Sequence, residues 1–310
     1  MVTLPLFPEP LRFDRERLAA KLRELTAHQI YVGTSSWKYE GWCGQIYTRD
    51  RYATRRRFSQ KRFAGECLGE YAETFPIVCG DFSFYQFPSD EFWRKLFHSA
   101  GLRLQFAFKV PEEITRCGPG GGERSDAFLN ADLFGTAFLR ALEPFRSQVA
   151  VLIFEFGSFG KRTYENAGEF VRDLDPFLAG LPAGWRYSVE IRNPEFLAPE
   201  YFACLRKHGV AHAYNAWTRM PELDEQMAME QTVTAGFTVT RALLRRGRPY
   251  EEAVEMLSPY ESIRDENIRA RKAIREQIRK SREERRASYI FVNNRLEGNA
   301  PLTIEAIIDE

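Results

Sequence analysis

Residues 187–192 read Tyr187-Ser188-Val189-Glu190-Ile191-Arg192. In an extended chain Ser188, Glu190 and Arg192 share one face, and Val189 and Ile191 share the other. The run is one of eight short apolar stretches, each ending in a polar or charged residue where a loop begins. The others are Ile30 to Ser35, Ile77 to Asp81, Leu104 to Lys109, Val149 to Glu155, Val210 to Asn215, Phe237 to Arg241 and Tyr289 to Asn294. Helix-length segments separate them. Parallel strands need crossover connections, and eight such strands close a sheet on itself. The expected fold class is α/β: a TIM-type (β/α)8 barrel, a closed parallel eight-stranded sheet with an N-terminal extension. The active face of such a barrel is made by the C-terminal strand ends. The last residues of the eight runs are therefore the first site candidates.

The 310 residues suit one barrel of about 250 residues with additions. Residues 1–29 read as an extension with a short helix over Asp14–Ala27, and 30–310 as the barrel. Leu18, Leu22 and Leu25 give that helix one apolar face. No Pro/Ser-rich linker divides the chain. No run reaches the roughly 18 apolar residues of a membrane span, and the first residues lack the features of an export signal. Five scattered cysteines without a C-x-x-C pair point to reduced thiols. The expectation is a cytoplasmic protein without a membrane partner.

Other elements follow from local signals. Ser89 is an expected N-cap for a helix over 89–99, and Pro199 a first-turn residue of a helix. Ser125 is an expected cap for a helix reaching Arg146. Gly118-Pro119-Gly120-Gly121-Gly122 reads as loop, not a phosphate-binding Walker turn, because no Lys-Ser/Thr follows. A long charged helix is expected over 260–286, with a stripe of Ile263, Ala270, Ile274 and Ile278 facing the sheet.

Net charge is +1, but the bases cluster. Trp37 to Arg62 holds eight bases and two acids, and Arg241 to Arg248 holds four arginines and no acid. Both segments follow strands that end on the active face. They are either a basic rim that attracts an anion or solvated Arg-rich loops.

Parity turns Glu190 and Arg192 inward, where unpaired charge is costly. A carboxylate and a guanidinium two residues apart bind a polar substrate or pair with each other. Lys109 shares a face with Ala107 and either binds an anion, acts as a base, or reaches solvent. Asp81 and Glu155 end two further strands; with Glu190 they offer oxygen ligands for a divalent cation, which no spacing motif supports. Asn293 and Asn294 suit fixing a hydroxyl or phosphate oxygen, or tying the last strand to its loop. Trp37 and Tyr85 either stack a sugar or base or pack under loops. His212 lies in the sixth strand, and a Cys79–His212 nucleophile pair is conceivable, though a structural cysteine is the simpler reading.

Several stretches together resemble one family. Gly33-Thr34-Ser35-Ser36-Trp37 resembles its opening motif, and Phe84-Tyr85-Gln86-Phe87-Pro88-Ser89 its second block. Phe106-Ala107-Phe108-Lys109 with Ile114-Thr115 resembles the third, Val189-Glu190-Ile191-Arg192 the fifth, and Phe291-Val292-Asn293-Asn294 with Gly298-Asn299-Ala300-Pro301 the last. The pattern is similar to the YecE-like family, catalogued as domain of unknown function 72. The resemblance implies a TIM-type barrel and no settled reaction. The chain departs from it at working positions: Cys79 and Asp81 stand where the family has glutamate and asparagine. Arg116 stands for a histidine, and Arg241-Ala242-Leu243-Leu244 for R-x-H-G.

The reading is a hydrolase or lyase on an anionic, phosphorylated or polynucleotide substrate at the barrel mouth. Glu190 would be the acid/base and Lys109 an anion-holding or catalytic cation. Arg192, Asn293, Asn294, Trp37, Tyr85, Arg241 and Asp81 would contact substrate. A non-catalytic nucleic-acid binder and a divergent barrel kept as an interaction scaffold remain the alternatives. No resident cofactor is indicated by any motif.

Overall fold

The computed structural model describes residues 13–118 and 125–309. Eight strands form a closed parallel barrel: β1 Ile30–Thr34, β2 Ile77–Gly80, β3 Gln105–Lys109, β4 Val149–Glu155, β5 Tyr187–Glu190, β6 Ala211–Ala216, β7 Phe237–Ala242 and β8 Ala287–Val292. Each strand pairs with its sequence neighbours and β8 closes onto β1. All eight runs expected from the sequence are present. β5 stops two residues short of Arg192, and β8 starts two residues before Tyr289.

Alternation sorts the side chains into two layers. Ile77, Cys79, Ala107, Val151, Ile153, Ala211, Ala213, Val239, Tyr289 and Phe291 fill the barrel. Phe106, Phe108, Leu152, Phe154, Val189 and Ile290 point outward into the helix layer. Tight closure between β1 and β2 explains Gly33. A Cβ there would lie 1.9 Å from the carbonyl oxygen of Ile77.

The helices obey local rules with three corrections. The first helix, Arg15–Ala27, is capped by Asp14 and buries Leu18, Leu22 and Leu25 against the barrel. Arg15 ties it to Glu70, whose carboxylate also accepts from Thr48 N (3.0 Å) and Tyr52 OH (2.6 Å). Ser89 caps Asp90–Ala100 as expected, and Pro199 opens Pro199–Lys207. The helical stretch 131–148 is capped by Asn130 rather than Ser125, and Phe134–Leu139 winds as a wider π-type turn. The sequence pattern places a further helix over 164–178; it runs instead over Ala167–Ala179 with Asn166 as cap, leaving Tyr164 outside.

The long helix expected over 260–286 begins only at Ile268, because the Asn267 side chain accepts from Ala270 N and caps it there. Ile263 is not part of it. Its buried stripe is Ala270, Ala273 and Ile274 with the polar Gln277 and Ser281. Gln277 is accommodated by Thr240, Thr238 and Ser288 at 2.6–3.2 Å. Most of the glycine run, 119–122, lies outside the described residues, as do Pro5, Pro8 and Pro10. Among the described residues no helix is long and apolar enough to cross a membrane.

His212 faces outward from β6, away from Cys79 inside the barrel, so no nucleophile pair forms. Its ring lies among Tyr201, Phe202 and Tyr214, with Nδ1 3.3 Å from Tyr201 OH. Burial pushes its pKa down to about 3.

Two stability outcomes follow. Gly33→Ala is expected to lower stability by about 1–3 kcal/mol or more, read by urea melts; an unchanged midpoint would mean that β1 and β2 are not in close contact. An unfolded histidine titrates near 6.5. Below that pH the unfolded chain binds a proton that His212 in the folded chain refuses until about 3. This contribution is complete above about pH 6.5 and lost as pH falls toward 3. His212→Phe should therefore flatten the fall in stability between about pH 6.5 and 4, by on the order of a few kcal/mol. Parallel pH profiles for the two proteins would contradict the buried neutral imidazole.

Candidate functional site

The C-terminal strand ends bring four inward-facing charged side chains together: Lys109 from β3, Glu155 from β4, Glu190 from β5 and Arg241 from β7. Asp81 and Arg192, each just past a strand, complete the set. Alternation is the cause: Glu190 and Arg192 are two residues apart, and so are Cys79 and Asp81. Glu155 and Glu190 are register partners across β4 and β5.

Arg241 is the centre. It is almost wholly buried. Nη1 contacts Glu155 Oε2 and lies 2.6 Å from Glu190 Oε2, and Nη2 lies 3.3 Å from Asp81 Oδ1. Arg192 Nη2 reaches Glu190 Oε1 at 2.6 Å and Glu155 Oε2 at 3.3 Å, while Lys109 Nζ is 3.1 Å from Glu155 Oε1. Aromatic faces back two of the cations. Lys109 Nζ stands 3.5 Å from the centre of the Phe84 ring, and the Arg192 guanidinium 4.0 Å from that of Trp217. Arg192 Nη1 also donates to Asn215 Oδ1 at 3.4 Å.

Access differs sharply among the carboxylates. Glu190 is 0% exposed, Glu155 15% and Asp81 31%. Glu190, expected as the acid/base, therefore lies beneath the surface; its two oxygens, like those of Glu155, are held by cations. Lys109 and Arg192, expected to hold an anion, are directed at carboxylates. Their ionisations also differ. Burial would raise the Glu155 carboxyl, but Arg192, Arg241 and Lys109 override it and hold its pKa well below the usual range. For Asp81 burial wins: its pKa is raised despite Arg241 and Lys109, with the Glu155 charge adding to the rise. The Cys79 thiol beneath is buried and pushed up by that burial, as suits a structural cysteine. Arg241 fills the space between the three carboxylates, so they do not present a common focus for a divalent cation.

A cleft of about 550 Å³ opens beside Glu155. Phe84 and Glu155 line it, with Thr115, Arg116, Ser158, Thr163, Lys161 and Arg162 around them. Arg116 pairs with Glu112 at 3.3 Å. Lys161 and Arg162 are exposed and have no carboxylate partner among the described residues.

The remaining sequence candidates stand outside this ion-pair set. Asn293 Oδ1 accepts from Arg295 N (3.0 Å), and Asn294 Oδ1 accepts from Trp42 Nε1 (3.1 Å) and Ala300 N (2.8 Å), so both anchor the loop after β8. Trp37 is buried with its ring perpendicular to that of Phe82. Tyr85 is 71% exposed, within electrostatic reach of Asp81, Glu155 and Tyr250. The arginines after β7 are engaged: Arg245 and Arg248 with Asp265 (3.2 and 2.6 Å), Arg246 with Glu225 (3.1 Å). In the first basic segment Arg49, Arg51 and Arg62 pair with Glu40, Glu73 and Glu66, whereas Arg55, Arg56 and Arg57 are exposed on a short β-ribbon. Sequence reasoning treated Glu155 only as a cation ligand and passed over Asn215. Both are last residues of their runs, which is the signal that marks them.

The family described as "Protein of unknown function DUF72" matches residues 31–310. The UPF0759 proteins YecE of Escherichia coli K12 and O157:H7 are each 25% identical over 170 residues, 54% of this chain and 50% of theirs. The chain thus aligns with about half the length of these curated relatives. The crystal structure of a DUF72 family protein from Thermotoga maritima MSB8 superposes with a TM-score of 0.62 at 18% identity, over 91% of this chain and 99% of that one. One from Enterococcus faecalis V583 gives 0.60 at 16% identity, over 91% and 98%. At such identity these two speak for the fold alone. Matched along nearly its whole barrel, the chain belongs to the DUF72 family of proteins of unknown function.

Proposed function

We propose that the protein is an acid/base enzyme of the hydrolase or lyase class, with Glu155 as the ionised base and Asp81 as the acid, acting on an anionic substrate at the barrel mouth. One observation carries the reading. A single buried guanidinium, Arg241, touches two partly exposed carboxylates whose ionisations are pushed in opposite directions. Carboxylates split in this way are how a site holds a proton donor and a proton acceptor at one pH.

The charge of the set favours an anion. Asp81, Glu155 and Glu190 balance Lys109, Arg192 and Arg241, so a proton taken up by Asp81 leaves the mouth with one positive charge. Lys161 and Arg162 on the cleft wall supply the unpaired cations that Lys109, Arg192 and Arg241 do not. Glu190 positions Arg241 and Arg192 and does not meet substrate. Tyr85 offers an exposed ring for a sugar or base. A second reading, polyanion binding without chemistry, draws on the exposed Arg55-Arg56-Arg57 ribbon.

The test is a panel of phosphomonoesters, phosphodiesters and uronate-type lyase substrates. Turnover on one of them is expected to fall about 10²- to 10⁴-fold in both Glu155→Gln and Asp81→Asn. Lys161→Ala/Arg162→Ala should raise KM with little change in kcat. Full turnover in both carboxylate variants, or no turnover on the panel combined with salt-sensitive oligonucleotide binding lost on removing Arg55–Arg57, would overturn the enzyme reading in favour of the second.

A further inference from the structure

The other end of the barrel carries a group of side chains that the mouth does not use. Asp175 lies near the end of helix Ala167–Ala179, which leads to β5. Cys204 lies in the last turns of helix Pro199–Lys207, which leads to β6, and His208 is that helix's C-cap. Both helices return the chain to the start of a strand, so their ends lie on the face away from the mouth. Spacing of four residues places Cys204 and His208 on one side of their helix, and that side meets the neighbouring helix that bears Asp175. One ligand atom from each residue falls within 4.8 Å of the others. His208 Nε2 is 2.7 Å from Asp175 Oδ1, and Cys204 Sγ is 3.8 Å from the same oxygen. Cys204 is buried, while Asp175 is 36% exposed, so the group opens to solvent on the carboxylate side.

We propose that Asp175, Cys204 and His208 form a binding site for a divalent transition ion of the zinc class, with water as the fourth ligand. Thiolate, imidazole and carboxylate are the three ligand types that zinc takes, with bonds of about 2.0–2.3 Å. Bonds of that length around a tetrahedral ion separate the ligand atoms by roughly 3.3–3.8 Å. The sulfur–oxygen distance already meets this. The imidazole–carboxylate contact has to open by about half an ångström, which a partly exposed aspartate does by turning about its side-chain bonds. Calcium and magnesium are disfavoured, since the group offers one carboxylate and otherwise sulfur and nitrogen. Binding exchanges the Cys204 S–H bond for a sulfur–metal bond, and the proton goes to solvent.

Lys207 is the competitor. Its Nζ lies 2.8 Å from both Asp175 oxygens. Its side chain is largely exposed, so it can yield Oδ1 to the ion and keep its contact with Oδ2. An ion there would pin two adjacent outer helices together through side chains that otherwise make only an ion-pair clamp.

The reduced full-length chain, titrated anaerobically with cobalt(II), tests the site. One equivalent is expected to give a near-ultraviolet thiolate-to-cobalt charge-transfer band that zinc abolishes by displacement. Cys204→Ser should lose the band. His208→Ala and Asp175→Asn should weaken binding by more than the roughly 10- to 100-fold that losing an outer-shell partner costs. Lys207→Ala should bind at least as tightly as the unaltered chain. Absence of the band, or its survival in Cys204→Ser, as adventitious binding at the partly exposed Cys43 or Cys117 would give, overturns the proposal. Should Cys204→Ser fail to fold, Asp175→Asn decides at its more exposed position: unchanged cobalt affinity there leaves only an ion-pair clamp.

Discussion

The guanidinium of Arg241 is the constraint around which the upper half of the barrel is arranged. A buried arginine cannot shed its proton, and its desolvation costs several kcal/mol unless carboxylates surround it. Asp81, Glu155 and Glu190 meet that need from three different strands. They in turn fix Lys109 and Arg192, which lie on Phe84 and Trp217. Removing one member would leave an opposite charge unpaired in a low-dielectric interior, so the set holds as a unit. Its lower part, Glu190 and Arg241, is sealed. Its upper edge, Glu155 and Asp81, meets solvent. A rigid charged floor with two reachable carboxylates is the form of pre-organisation on which acid/base chemistry depends.

Departures from the family pattern acquire a physical sense in this setting. The sequence resembles a family with glutamate where Cys79 stands and asparagine where Asp81 stands. Positions 79 and 81 both face inward, one step apart along the barrel axis. The exchange therefore keeps one carboxylate on β2 but moves it toward the mouth. At the end of β7 the arginine is kept as Arg241, while the histidine of R-x-H-G is replaced by buried Leu243. In the proposed reading the proton-handling groups are thus carboxylates without a histidine.

The barrel was legible in the sequence because both of its causes are local: short alternating runs and the crossover segments between them. Parity alone turned Glu190, Arg192 and Lys109 inward correctly. What parity cannot read is depth. Glu190 and Glu155 are register partners contacted by the same two arginines, yet one is sealed and the other partly open. Nor can it tell a free cation from a paired one; the arginines after β7 read equally as a basic rim or as solvated loops, and are matched by Asp265 and Glu225. Asn293 and Asn294 illustrate a third limit. Their amides had two readings, and the loop that uses them became visible only once Trp42 and Ala300 came alongside.

The opposed ionisation of Asp81 and Glu155 is the central claim, and a carbon-detected NMR titration of the two side-chain carboxyls measures it directly. The account predicts that Glu155 stays ionised at the lowest pH at which the barrel remains folded, and that Asp81 takes up its proton above the usual aspartate value of about 3.9. Two carboxyls titrating together at ordinary values, or Asp81 remaining ionised below Glu155, would contradict it.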